Sequence, residues 1–251
     1  MHHDLSGAPP VRVHLRRSAR ARRMSLRVSR LDGRVTLTLP PRAPLEAARA
    51  FAEERADWIR GHLAGIEAPR LVALGDAVPV EGRPLRVVAA GRSALLPEAG
   101  EIAVSRRAAS VPGAVGGLLK AVARERLTAA SDRYAAALGR PYTRITLRDT
   151  RSRWGSCSSA GALMYSWRLV MAPPEVLDYV AAHEVAHLAE MNHSRRYWAT
   201  LARLYPDHGG PRAWLRRHGE ELHRWRFTAG REAPQPSTEK DESALIGRRR
   251  E

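Results

Sequence analysis

The segment His183-Glu184-Val185-Ala186-His187 constrains this chain more than any other five residues in it. On a helix, positions four apart differ by about 40° and sit one turn along the axis, so both imidazoles leave the same face. Two imidazoles placed that way can clasp one Zn2+ ion. Glu184 lies about 100° from His183 and about 60° from His187, so it stands beside the pair. From there a carboxylate can take a proton from a zinc-bound water and pass it to a leaving group. The pattern asks for a helix, a metal and a hydrolytic chemistry together.

A catalytic zinc site normally takes three protein ligands and keeps one position open. His193 lies ten residues after His183, and on an unbroken helix it would stand roughly 15 Å further along the axis. The helix must therefore end first. Asn192 tolerates a left-handed backbone, and Ser194 can cap a new helix. A turn at Met191-Asn192 would then fold His193 back onto the ion. Glu190 competes as third ligand, because it shares the face of His183 and His187, although about 10 Å along it. The plainer alternative is a helix with two partly buried histidines, each satisfied by its own hydrogen bonds.

With 251 residues, 44% of them hydrophobic, the chain has the material for a globular α+β fold. Aromatic residues make up only 6%, so aliphatic side chains and Ala must fill the core. Residues 1–10 read as a disordered lead and 11–110 as a β-rich part with one amphipathic helix over 45–64. Strands are expected at 11–15, 26–28 and 35–39, with a tight turn at Asp32-Gly33. Residues 111–230 read as the catalytic part. It should hold a helix at 114–138, a polar loop at 150–161, a strand at 163–171 and an amphipathic metal-binding helix at 175–191. Residues 231–251 read as a disordered tail. No apolar run is long enough to span a bilayer and no leader is evident, which points to the cytoplasm. Cys157 is the single cysteine, so no intrachain disulfide can form, and it reads as structural.

The net charge is +16, and Lys120 and Lys240 are the only lysines. An excess carried almost wholly by Arg reads first as compositional bias and only second as a sign of a polyanion partner. Yet Arg16, Arg17, Arg20, Arg22, Arg23, Arg27, Arg30 and Arg34 crowd the first predicted strands. They form either a solvated sheet face or an electrostatic platform for an acidic substrate or nucleic acid.

The run RWGSCSSAGALMYSWRLVMAPPEVLDYVAAHEVAHLAEMNHSRRYW, residues 153–198, strongly resembles the YgjP-like family of bacterial zincin-type metallohydrolases, which are related to the SprT-like proteins. A weaker likeness extends to the basic strands and the EERADWI segment. The resemblance implies a zincin-like catalytic core with one Zn2+ per chain, held by His183, His187 and His193, and Glu184 as catalytic glutamate. It leaves the substrate open between a peptide and a nucleotide.

A metallopeptidase would use strand 163–171 as an edge on which an extended peptide pairs, a role suggested by the fold that the resemblance implies. A nucleotide phosphohydrolase of the triphosphate pyrophosphatase type would use Arg148, Arg151, Arg153 and Arg168 as forked donors to phosphate. Arg153 and Arg168 could instead pair with Asp149, Glu175 or Asp178, or hold the loop in place. Trp154 and Trp167 could stack on a base or pack beneath the loop. The peptidase is the favoured reading. A third, a non-catalytic nucleic-acid-binding module, rests on the basic strands alone and leaves the histidines unexplained.

Overall fold

Val11, Val13 and Leu15 alternate with Arg12, His14 and Arg16, a pattern that puts one face of a strand in a core and the other in water. The computed structural model, which describes residues 1–29, 33–66 and 69–228, builds its first unit on this rule. Strands β1 (His2–Leu5), β2 (Val11–Arg17), β3 (Ser25–Val28) and β4 (Val35–Leu39) form one sheet in the order β1-β2-β4-β3. The β2–β4 pair is parallel and the other two are antiparallel. The inner face packs on two helices, α1 (Leu45–Glu54) and α2 (Ala56–Ala64), through Val13, Leu37, Leu39, Ala52 and Ile59.

Two expectations fail here. Residues 1–10 were expected to be a disordered lead, but His2–Leu5 pair with β2, because Leu5 reaches the core and His3 bonds Glu53 at 3.0 Å. The helix expected over 45–64 is divided at Arg55, whose φ of −98° and ψ of 8° leave the helical range. Of the expected Asp32-Gly33 turn, Asp32 lies outside the described residues. Gly33 has φ +67° and donates its amide to the Ser29 carbonyl.

The second unit begins at Arg70, so the division expected near residue 110 falls about forty residues earlier. The reason lies in the core, where strands of the 70–105 segment share side-chain packing with the helices that follow. Strand β5 (Arg70–Leu71) precedes a four-stranded sheet of β6 (Ala77–Val80), β7 (Arg83–Ala90), β8 (Ala94–Leu96) and β9 (Glu101–Ser105), ordered β6-β7-β9-β8. Helix α3 (Val111–Leu138) starts on an N-cap, Ser110, that accepts from the Gly113 amide. It ends at Gly139 in the left-handed conformation. Its buried stripe, Val115, Leu119, Ala123, Leu127, Ala130 and Tyr134, recurs every three or four residues and faces the core.

A three-stranded sheet follows, built from β10 (Arg144–Arg148), β11 (Gly155–Cys157) and β12 (Ala162–Ser166), in the order β10-β12-β11. The strand expected over 163–171 is therefore shorter than its apolar pattern suggested. Trp167–Met171 instead coil into a 3-10 turn that is buried throughout. Helices α4 (Pro174–Ala186), α5 (Arg195–Leu204) and α6 (Gly209–His218) complete the unit, with β13 (Trp225–Arg226) pairing in parallel with β5. The helix expected over 175–191 ends five residues early. It is also not amphipathic, for every residue from Tyr179 to Ala186 is buried. A helix covered on all sides is a core element. No helix among the described residues is long and apolar enough to cross a membrane. The expected tail, 231–251, lies outside them.

The β6–β7 hairpin braces this core. Its turn places both Glu81 and Gly82 at positive φ, 48° and 76°, as a two-residue type I′ turn requires. The Glu81 amide donates to the Val170 carbonyl at 2.7 Å, and a Cβ on Gly82 would stand 3.1 Å from Pro173 Cα. Gly82→Ala combines an unfavourable backbone with a contact too close. It should lower the stability of the protein by about 1–3 kcal/mol in a urea unfolding titration.

Candidate metal centre

Histidine becomes a metal ligand only if its ring is neutral and a nitrogen faces the ion. Helix α4 supplies both conditions for two of the three rings. His183 and His187 project from one face of it, with centroids 5.2 Å apart, and both are buried. Burial, and then the neighbouring His187 and His193, hold the His183 imidazole well below its ordinary range. Burial brings His187 down to about 4. Both rings are thus neutral at physiological pH.

The third ring comes from the turn. After Ala186 the bonds shorten to three-residue spacing, Leu188 to Val185 and Ala189 to Ala186, and the helix ends. Ser194 then caps α5, accepting from the Tyr197 amide, as expected. The left-handed residue expected at Asn192 is not used. Asn192 instead accepts the Ser194 amide through its carbonyl at 2.8 Å. The outcome is the same: His193 returns to the helix, its Nε2 3.2 Å from Nε2 of His183. His193 is held below its ordinary range by burial and then by Arg212.

One nitrogen from each of the three rings lies within 4.8 Å of the others. Two ligands of a tetrahedral zinc ion, each about 2.05 Å from it, would be separated by about 3.3 Å. The His183–His193 spacing matches that value. The rings are also oriented from behind. His187 Nδ1 donates to the Glu190 carbonyl at 3.0 Å, which leaves its Nε2 for the ion. Glu190, the competing ligand by sequence, thus contributes its backbone. Tyr197 stacks on His187 at 4.5 Å, and its hydroxyl donates to the His183 carbonyl at 3.1 Å. The donor set, geometry and protonation state fit a divalent metal ion.

Glu184 is only 3% exposed. Burial pushes its carboxyl up to about 8, against an opposing pull from Arg153. Its neighbour is Gly155 on β11, where a Cβ would stand 2.5 Å from Glu184 Oε1. The carboxylate occupies space that any other residue at 155 would fill. Sequence reasoning left Gly155 inside a polar loop, since no spacing rule links it to a residue 29 positions later. Tyr197 likewise falls in the helix that Ser194 opens, where no spacing rule ties it to His187.

Of the four arginines considered for phosphate, Arg168 is committed to partners within the chain. Arg168 is buried and bidentate to Asp149, at 2.6 and 3.0 Å. It also donates to the carbonyls of Leu222 and Trp225, so its fork is occupied. Asp178 pairs instead with Arg133 and Tyr134. Arg148 ends β10 in an exposed position, and Arg153 follows the exposed Arg151 on the connection to β11. Trp167 is buried against Phe227, and Trp154 lies on His223 with Gly219 beneath it. Burial, then Glu184, pushes the Cys157 thiol up to about 11, which suits a structural residue.

Losing a hydrogen bond behind a ligand costs about 10–100-fold in metal affinity, and losing a ligand must cost more. His193→Ala should therefore retain less metal than the wild type in elemental analysis of protein dialysed under identical conditions. Metal addition should raise the melting temperature of the wild type and leave that of His193→Ala unchanged.

A comparison with curated proteins gave no match. Among solved structures, the chain is similar to the metallopeptidase zymogen abylysin of Pyrococcus abyssi. Identity is 18%, covering 40% of this chain and 98% of that one, with a TM-score of 0.34. A family model, described as the YgjP-like metallopeptidase domain, matches residues 22–218. That span takes in the three histidines, Glu184 and Gly155. This chain belongs to the YgjP-like family of metallopeptidase domains.

Proposed function

We propose that this protein is a zinc-dependent peptidase in which His183, His187 and His193 hold the metal and Glu184 is the general base. The convergence of three neutral imidazoles beside a buried carboxylate carries the reading. A zinc ion held there would supply Lewis-acid polarisation of a substrate carbonyl and of water. The chain's own residues do the rest. Glu184, fixed against Gly155, accepts a proton at a carboxylate oxygen and returns it to the departing amine. Burial raises its carboxyl in the metal-free chain, and a divalent ion held by the three histidines would draw it back toward the carboxylate form that accepts the proton.

The substrate platform differs from the one expected. Strand 163–171 was to be the edge, yet β12 lies between β10 and β11 and has both neighbours filled. The edges are β10 and β11; β11 is antiparallel to β12, and Gly155 at its start touches Glu184. Among the described residues no strand pairs with its outer side. An extended peptide added there would run beside the carboxylate, bound through backbone groups of any sequence. The saturated fork of Arg168 supports peptide over triphosphate, because that donor is spent on Asp149 and two carbonyls.

Glu184→Gln should lower turnover of an unfolded protein such as casein by about 10²–10⁴-fold with metal content unchanged. Nucleoside triphosphate hydrolysis that vanishes in Glu184→Gln while casein stays intact would overturn the peptidase. Gly155→Ala must displace the carboxylate, and a misplacement near 1 Å costs about 10²-fold. It should reduce kcat on casein by that order and leave the bound metal in place.

A further inference from the structure

The positive charge of the first unit is sorted by side. Residues 1–43, which hold the four strands, contain ten arginines and two acids, whereas residues 44–69, with α1 and α2, contain three arginines and five acids. A compositional excess of Arg would not separate the signs in this way. The alternation along the strands then turns the charge outward. Val13, Leu15, Leu37 and Leu39 face the helices, so Arg12, His14, Arg16, Arg27, Thr36 and Thr38 line the opposite face.

Some of these guanidinium groups are spent. Arg12 pairs with Asp4, and Arg17 donates to the carbonyls of Pro40, Pro41 and Ala43. Arg16 and Arg27 are exposed and take no carboxylate among the described residues. The register fixes their separation: Arg16 lies opposite Thr38, Thr38 opposite Ser25, and Arg27 opposite Thr36. They are thus two strands and two residues apart, about 12 Å between Cα atoms. That is about the width of the major groove of a duplex, so the pair can reach phosphates on both of its sides. Thr36 and Thr38 add hydroxyl donors between them. His14 lies within the same field, held below its ordinary range by burial and then by Arg34, His2 and Arg12.

The chemistry of the face also selects the partner. Phe51 and Trp58, the only Phe, Tyr or Trp residues before Arg70, both lie on the helices. The face therefore offers no Phe, Tyr or Trp ring on which unpaired bases could stack, and its rings are the imidazoles of His2 and His14. The residues lining it are polar, which gives a lipid surface nothing to insert. We infer that the solvent face of the β1-β2-β4-β3 sheet binds the phosphate backbone of double-stranded nucleic acid, by charge and without reading sequence. This rests on the first unit alone and stands whether or not the metal centre is a peptidase.

The test is fluorescence anisotropy of a labelled duplex of about 20 base pairs, titrated with the full chain from about 50 to 200 mM salt. Arg16→Gln with Arg27→Gln should weaken binding and lower the slope of log affinity against log salt by about two. The pair Arg106→Gln and Arg107→Gln removes the same charge from exposed positions on the second unit and should leave that slope as it was. Arg16→Lys with Arg27→Lys, which preserves charge and fold, should bind like the wild type. The inference is overturned if the duplex does not bind, or if both Gln pairs weaken it equally. It is overturned as well if single-stranded homopolymer or phosphatidylglycerol vesicles bind more tightly than the duplex.

Discussion

The second unit depends on the burial of α4. An imidazole in water is partly protonated near neutral pH and repels both its neighbours and any cation. Enclosed among Val180, Val185, Tyr197 and the residues around them, His183 and His187 are neutral, and their lone pairs are available. The surrounding structure sustains that enclosure. The long helix α3 and the buried 3-10 turn cover α4 from one side, and α5 returns across it through Tyr197. The same enclosure that neutralises the histidines disfavours ionisation of Glu184. A single constraint, the exclusion of water around one helix, thus governs the charge state of all three side chains.

Much of this was legible in the sequence because it depends on local geometry. Helical spacing alone put His183 and His187 on one face, and the need to turn back before His193 followed from the rise per residue. The cap at Ser194 was readable for the same reason. What could not be read was set by tertiary packing. An apolar run at 163–171 satisfies a strand and a buried 3-10 turn equally, and only the surrounding core decides between them. The closeness of Gly155 to Glu184, and the central place of β12, are facts of strand order. No periodicity encodes strand order. Residues 1–10 read as a disordered lead, yet one apolar residue, Leu5, with His3 bonded to Glu53, is enough to join a sheet that already exists.

The charge of the chain shows the opposite limit. Its total invited a functional reading and its composition argued against one, and neither is informative by itself. The division of sign between strands and helices in the first unit can be counted along the chain, but only the pleat assigns Arg12, Arg16 and Arg27 to one face. Arg168 shows the converse at the level of one residue: a guanidinium that looked available for substrate is fixed in the interior by Asp149 and two carbonyls.

Those two carbonyls, of Leu222 and Trp225, belong to a stretch that follows the last residue of the family match, His218. Through Arg168 and Asp149 this stretch is tied to the connection that leads into Gly155, the residue beside the Glu184 carboxylate. The chain therefore carries a latch outside its recognisable homology region. Trimming the protein at the edge of that region would strip two acceptors from the buried cation that anchors the connection into Gly155.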